Sequence, residues 1–222
     1  MFAIGYVCGA LCADGSIVLD RKYGHYRICL ETKERGFADL FRYYLSPYVE
    51  KEVRIYERNK KYRGAPYHTF IVSVYGKKMV IGFKDRWGIE TGSFTWVVPD
   101  MAFIDTDFRR GFLQGFFDGE ATVRVRLGKF MGIKRRNVRI TSANLTGLAQ
   151  VKELLETCGI RSIVYPAGKY WCLDIEGKAR LVKFREKVNF GIPKKRKKLD
   201  FAISGGKSEP ESLAFTNKSV FK

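Results

Sequence analysis

The chain contains the same segment twice. Gly5-Tyr-Val-Cys-Gly9-Ala-Leu-Cys-Ala13-Asp14 aligns with Gly111-Phe-Leu-Gln-Gly115-Phe-Phe-Asp-Gly119-Glu120 at an offset of 106. Three small residues recur at spacing four in each copy, and an acid follows at once. The likeness continues at an offset of 111, where Ile28–Phe37 matches Arg139–Leu148. A third stretch sets Val74-Tyr-Gly76-Lys77 against Asp174-Ile175-Glu-Gly177-Lys178, and both copies then reach Gly-Ile, at Gly88-Ile89 and Gly191-Ile192. Three ordered matches mean one structural unit used twice, which restricts the fold more than any local pattern does. The units are residues 1–100 and 101–200, with a polar tail over 201–222.

Each unit reads as helix, hairpin, helix, hairpin, helix, an α+β pattern. The first hairpin covers about Ser16–Glu31 and turns near Tyr23-Gly24. Its counterpart, Thr122–Ser142, is five residues longer, as the two offsets require. Arg35–Leu45 and 145–158 read as amphipathic helices. The second hairpins fall over Val53–Tyr75 and Ser162–Ile175, with Gly64-Ala-Pro66 and Ala167-Gly168 as turns. Ser204–Pro210 reads as a flexible connection, after which Leu213, Phe215 and Phe221 could dock back.

The repeated helix carries the chemistry. Glycine inside a helix costs about 1 kcal/mol relative to alanine. Small residues at i, i+4 and i+8 form one ridge, and such a ridge lets two backbones approach closely. The natural partner of each ridge is the other copy, about a pseudo-twofold axis. Asp14 and Glu120 then end paired helices side by side, each at the negative pole of its own dipole. Divalent cations relieve that repulsion, and carboxylate and carbonyl oxygens suit Mg²⁺. The alternative, a buried helix whose last acid caps a turn, accounts for one copy and leaves two matched copies unexplained.

Charge supplies the substrate class. The chain has 41 Lys plus Arg against 23 Asp plus Glu, a net charge of +18. Residues 1–100 carry net +5 and residues 101–222 net +13. Such an excess points to a polyanion, first of all nucleic acid. Two carboxylates with metal on a basic protein suggest metal-assisted phosphodiester hydrolysis. No apolar run approaches the ~18–20 residues of a membrane span. Five cysteines without a CxxC pair, and only two histidines, argue against zinc and for reduced thiols inside a cell. Asp20 with Glu31-Thr-Lys33 imitates another nuclease pattern, but that reading leaves the repeat unexplained.

Val7-Cys-Gly-Ala-Leu-Cys-Ala-Asp14-Gly15 and Leu113-Gln-Gly-Phe-Phe-Asp-Gly-Glu120-Ala121 resemble the two motifs of a single-chain LAGLIDADG homing endonuclease. The resemblance covers nearly 200 residues. It implies two αββαββα repeats about a pseudo-twofold axis, with saddle-shaped antiparallel sheets lying in consecutive major grooves. It implies a monomeric, site-specific double-strand DNA endonuclease using two or more Mg²⁺ ions. Asp14 and Glu120 would be the metal ligands, with the carbonyls of Ala13 and Gly119 beside them. Lys194 or Lys195, together with Glu31 and Ser142, would order water at the site, and Lys84 is a weaker candidate in the first copy. Two positions depart from the pattern: Cys12 stands opposite Asp118, and Ala121 replaces the final glycine.

Polar residues on the hairpins are the candidate DNA contacts, because a two-stranded ribbon fits the major groove. In the first unit they are Arg21, Lys22, His25, Arg27, Arg54, Tyr56, Arg58, Lys60, Lys61, Arg63 and His68. In the second they are Arg124, Arg126, Lys129, Lys134, Arg135, Arg136, Arg139, Arg161, Tyr165, Lys169 and Tyr170. The rival readings are an intron RNA maturase, with its own intron RNA as partner, and a non-catalytic DNA-binding protein of the same fold. Retention of both motif acids favours the enzyme. The chain reads as free-standing and intron-encoded, in an archaeal cytoplasm or an organelle.

Overall fold

The computed structural model describes residues 1–62, 65–128 and 133–205. Its elements run α1 (Phe2–Asp14), β1 (Gly15–Asp20), β2 (His25–Thr32), α2 (Arg35–Leu45), β3 (Arg54–Tyr62), β4 (Ala65–Tyr75) and α3 (Lys77–Trp87). A short α4 (Met101–Ile104) lies between the units. The same series then returns as α5 (Thr106–Glu120), β5 (Thr122–Leu127), β6 (Ile133–Ser142), α6 (Leu145–Thr157), β7 (Ile163–Ala167), β8 (Tyr170–Glu176) and α7 (Lys178–Lys187). A final helix, α8 (Pro193–Ser204), has no counterpart among the described residues of the first unit. It carries the basic run 194–198 and continues through 201–204, residues expected in the tail.

Two four-stranded antiparallel sheets result, in the orders β1-β2-β4-β3 and β5-β6-β8-β7. Each has an apolar inner face. Ile28, Leu30, Val72 and Val74 are buried in the first sheet, and Val123, Val138, Ile140, Leu173 and Ile175 in the second. Period-2 alternation therefore sends the intervening residues to the opposite, outer face. The amphipathic helices cover the inner faces, α2 through Phe37, Ala38, Phe41 and Leu45 and α6 through Leu148, Val151, Leu154 and Leu155. Side chains start two of the helices: Asp105 accepts from the Phe108 amide at 2.7 Å, and Asn144 from the Gly147 amide at 3.0 Å.

α1 is apolar around its circumference and buried along it, as such a helix must be. It packs on α5 more extensively than any other pair of helices in the structure packs. A side chain at Gly5 would strike the Phe108 carbonyl, and one at Gly111 the Phe2 carbonyl. One at Gly9 would strike Phe112, and one at Gly115 would strike Tyr6. Each contact maps onto its reciprocal by the same 106-residue shift, the signature of a twofold-like interface within one chain. The helices run in the same direction, so both C-termini emerge together.

One expected correspondence changes. The residues preceding α2 and α6 are Glu34 and Asn144, which stand 110 apart, not 111. Thr32 is thus the partner of Ser142, and Glu31 that of Thr141. Local geometry agrees: Thr32 Oγ1 accepts from the Glu34 amide and Ser142 Oγ from the Asn144 amide, each at 3.2 Å. The longer hairpin gains four residues, and a β-bulge between β5 and β6 leaves Lys134 without a ladder partner.

Candidate active site and nucleic-acid interface

The C-termini of α1 and α5 open into a cleft of about 440 Å³. Ala13, Asp14 and Glu120 line it, together with Gly92, Ser93 and Trp96 from the segment joining the units. Thr141, Ser142, Ala143 and Tyr170 close it from the second sheet. Desolvation dominates its electrostatics. Burial first, then the charge on Asp14, pushes Glu120 up to about 7, against the opposing pull of Lys195. Burial likewise raises Asp14, with Lys195 again opposing. Two partly buried carboxylates that each disfavour the other's charge are poised to take up a cation.

The charge of Lys195 acts on both acids. Its ammonium donates to the Asp118 carbonyl at 2.5 Å, and to those of Phe117 at 3.3 Å and Gly119 at 3.4 Å. It thereby neutralises the negative end of α5. Burial lowers its pKa, while Asp118, Asp14, Glu34 and Glu120 raise it. Lys194 points elsewhere, forming an exposed ion pair with Glu34 at 3.3 Å. Lys84 is held by Glu90 at 2.9 Å. Glu31 is not among the residues lining the cleft, because it stands on the outer face of the first sheet. There it accepts from Lys60 Nζ and Thr69 Oγ1, each at 2.8 Å. Ser142 does line the cleft, with its hydroxyl oxygen engaged at the start of α6.

The donor set fits a hard divalent cation. Among the described residues, no three His, Cys, Asp or Glu side chains cluster. Two carboxylates with nearby carbonyls match the way Mg²⁺ is held, by one or two acids, water and the substrate's own phosphates. Zinc does not fit, because the described cysteines are free and most are buried in apolar surroundings.

Strand register sorts the expected DNA contacts. Arg27, Arg54, Tyr56, Arg58 and Lys60 share the outer face of the first sheet with Glu31. Lys61 and His68 do not. Lys61 pairs with Pro66 and His68 with Asn59, positions in phase with inward-facing Ile55. His68 is occupied there by Asn59 Oδ1 at 3.0 Å and by the Phe70 ring. In the second sheet, Arg124 and Arg126 lie on the outer face with Arg135, Asn137 and Arg139 around a pocket of about 170 Å³. Two of these arginines are already engaged. Arg139 forks onto buried Asp174 at 2.5 and 2.7 Å, Tyr165 donates to the same carboxylate at 2.9 Å, and Arg135 forks onto Glu176 at 2.7 and 3.0 Å. Arg136 turns inward and donates to the Ala202 carbonyl at 2.8 Å, fastening the end of α8.

Arg21 and Lys22 are exposed in a turn, Arg161 is exposed just before β7, and Lys169 lies over the Tyr170 ring. Arg63 and Lys129 lie outside the described residues, as do Gly64 and the docking residues expected in the tail. A larger groove, about 840 Å³, runs along the first sheet between Arg21, His25, Arg27, Lys51 and Lys77. Among the described residues no carboxylate lines it, so it suits phosphate and not metal. Lys51 and Lys77 lie off the strands, where hairpin alternation could not flag them.

The LAGLIDADG-like domain family matches residues 1–88 and 107–189. The chain belongs to the LAGLIDADG family. No curated protein sequence gives a significant match. Among solved structures, the homing endonuclease I-WcaI bound to its DNA recognition sequence aligns with a TM-score of 0.63 at 15% identity, over 89% of this chain and 85% of that one. The homing endonuclease I-DmoI in complex with DNA and Ca aligns at 0.59 and 17%, over 89% and 96%. Full-length DUF199/WhiA from Thermatoga maritima aligns at 0.57 and 13%, over 95% of this chain but 62% of that one. The LAGLIDADG architecture is thus shared by this chain, by DNA-bound endonucleases and by a protein of another name.

Proposed function

We propose that this LAGLIDADG protein is a site-specific, metal-dependent double-strand DNA endonuclease acting as a monomer. One observation carries the reading: the two motif acids end close-packed parallel helices in a single cleft, between two sheets whose outer faces are rich in cations. A protein that only binds nucleic acid gains nothing from juxtaposing Asp14 and Glu120, since burial and mutual repulsion make the pair costly. The reciprocal α1–α5 contact within one chain supports action as a monomer. Solved relatives bound to DNA, and one bound to DNA and Mn, support the substrate class and the use of a divalent ion.

Asp14 and Glu120 would hold Mg²⁺, each acid belonging mainly to the site that serves one DNA strand, with the Ala13 and Gly119 carbonyls available beside them. Bound Mg²⁺ supplies Lewis-acid stabilisation of the charge that builds on the scissile phosphate. Lys195 keeps a buried positive charge next to the pair and can orient water or a phosphate oxygen. The outer faces of the sheets grip phosphate and present Arg27, Arg58, Lys60, Arg124 and Arg126 to base edges.

The test is cleavage of a plasmid library carrying genomic or randomised inserts, with wild type and Asp14→Asn in Mg²⁺ or Ca²⁺, followed by sequencing of the ends formed. Discrete double-strand ends at one long site, made by wild type in Mg²⁺ and absent with Asp14→Asn, are expected. Tight, salt-sensitive binding without discrete ends, from a library shown to contain the bound site, would overturn the endonuclease reading in favour of a binding protein.

A further inference from the structure

The two motif helices differ at the residue two places before each terminal acid. In α1 it is Cys12, whose thiol lies 3.6 Å from the Val97 carbonyl and 3.8 Å from that of Glu90. In α5 it is Asp118, a carboxylate only 2% exposed. Its oxygens accept from the Gly191 amide at 3.0 and 3.1 Å, from the Ile192 amide at 3.3 Å and from the Tyr6 hydroxyl at 2.7 Å. Those amides immediately precede α8, whose N-cap residue, Ile192, has no side-chain acceptor of its own. Asp118 therefore holds, from another helix, the two amides that lead into α8. The approach is close enough that a side chain at Gly191 would sit 2.6 Å from the Asp118 carboxylate and 2.9 Å from Leu40.

α8 starts at this anchor, and less than a turn later it presents Lys195 to the carbonyl end of α5. The equivalent segment of the first unit has no such anchor. Counted from the matched Gly88-Ile89 and Gly191-Ile192 pairs, the position of Lys195 falls on Gly92, which has no side chain to carry a charge.

We propose that Asp118 is a positioning residue: by fastening the start of α8 to α5 and, through Tyr6, to α1, it sets Lys195 beside one of the two strand-cleaving centres and leaves the other without a lysine. The proposal rests on the endonuclease reading for its catalytic consequence, but the placement of Lys195 stands on its own geometry. Losing the anchor frees the ammonium from the end of α5 without touching Asp14 or Glu120. One strand's cleavage should then slow while the other's continues.

The experiment compares wild type, Asp118→Cys, Asp118→Asn, Lys195→Met and the Asp118→Cys/Lys195→Met double variant. Asp118→Cys installs the residue that the first unit tolerates at this position. Asp118→Asn retains one acceptor oxygen, and keeps the test alive if the cysteine variant does not melt cooperatively. Strand-resolved nicking is measured on the target recovered from the library. Asp118→Cys should slow one strand at least tenfold in kcat with KM for DNA unchanged, keep the other within twofold, and add less than twofold to the loss already caused by Lys195→Met. Asp118→Asn should fall between. In metal-free protein, acylation followed by mass spectrometry should show Lys195 several-fold more reactive in Asp118→Cys, with Lys84 unchanged. Equal slowing of both strands, multiplicative losses in the double variant, or unchanged Lys195 reactivity would overturn the proposal. If wild type cuts nothing, the endonuclease reading falls, and the acylation result alone decides whether Asp118 positions Lys195.

Discussion

Replacing Glu120 with Gln should stabilise the metal-free protein at neutral and alkaline pH. The carboxyl is pushed from its usual 4.5 to about 7, by burial first and by the Asp14 charge second. A rise of that size corresponds, at about 1.4 kcal/mol per tenfold, to roughly 3 kcal/mol. The sign follows from proton counting. Between 4.5 and 7 the folded state holds a proton on Glu120 that the unfolded state has released, so stability falls as pH rises through that window. Below 4.5 both states are protonated and the penalty vanishes. Above 7 the folded protein carries the full charge. Glutamine keeps the shape and removes the charge, so the variant should melt higher than wild type by roughly 5–10 °C at pH 8 for a chain of this size. The difference should shrink toward zero at pH 4.5. Thermal melts followed by circular dichroism in EDTA, from pH 4.5 to 8.5, measure it directly. Mg²⁺ should raise the wild-type melting point at pH 8 more than that of the variant. A variant no more stable than wild type at pH 8, or a gap independent of pH, would refute the claim that the motif acids are held together at a cost that a cation relieves.

Alanine at Gly9 should destabilise the protein by about 1–3 kcal/mol despite its better helix propensity, because its methyl would meet the Phe112 carbonyl; urea titration measures this. Arg139→Ala should cost about 3–5 kcal/mol by stranding the buried Asp174 carboxylate. Arg124→Ala should leave stability unchanged, weaken DNA binding, and, if it contacts phosphate, lower the slope of log K against log salt by about 1. Lys61→Ala and His68→Ala should leave affinity within twofold, since register turns both from the outer face, whereas Lys60→Ala should weaken it; one titration series against the recovered target separates them.

The repeat was legible because it is written twice. Small residues in one copy of α1 could have many causes, but the same spacing followed by an acid in α5 leaves close helix pairing as the economical account. The glycine-to-carbonyl contacts reciprocate across the offset. Hairpins were legible from alternation and turn residues, as Val123 and Val125 against Arg124 and Arg126 illustrate. Register was less so. A slip of one residue moved the expected partner of Ser142 from Thr32 to Glu31, and with it assigned Glu31 to a site it does not line. At period two, one residue changes the face. Lys61 and His68 stand among the candidates because every polar residue of the hairpin counts there, and only the strand register assigns their face. Charge pairing was not legible at all: Arg135 and Arg139 differ from Arg124 and Arg126 only because β8 brings Glu176 and Asp174 opposite them.

The most informative residues are those that break the internal symmetry. Asp14 and Glu120 correspond, as do Gly9 and Gly115, and these positions build the shared interface and the paired acids. Cys12 and Asp118 share a position but not a chemistry, and so do Gly92 and Lys195. The sequence showed the first mismatch as a departure from a motif; its consequence needed α8, which only one unit possesses. A homodimer of such units would have to give both centres the same surroundings. Covalent joining removes that constraint, and each half can then be fitted separately to its strand and half-site. The net charge of +13 on the second half against +5 on the first, and the lysine at the end of α5 where the first unit has a glycine, run in that direction. Cleavage by such a molecule should proceed through a nicked intermediate in which the same strand is cut first each time, and time courses on a supercoiled plasmid bearing the target will show it. Random choice of the first strand would mean that the asymmetric surroundings do not reach the chemistry.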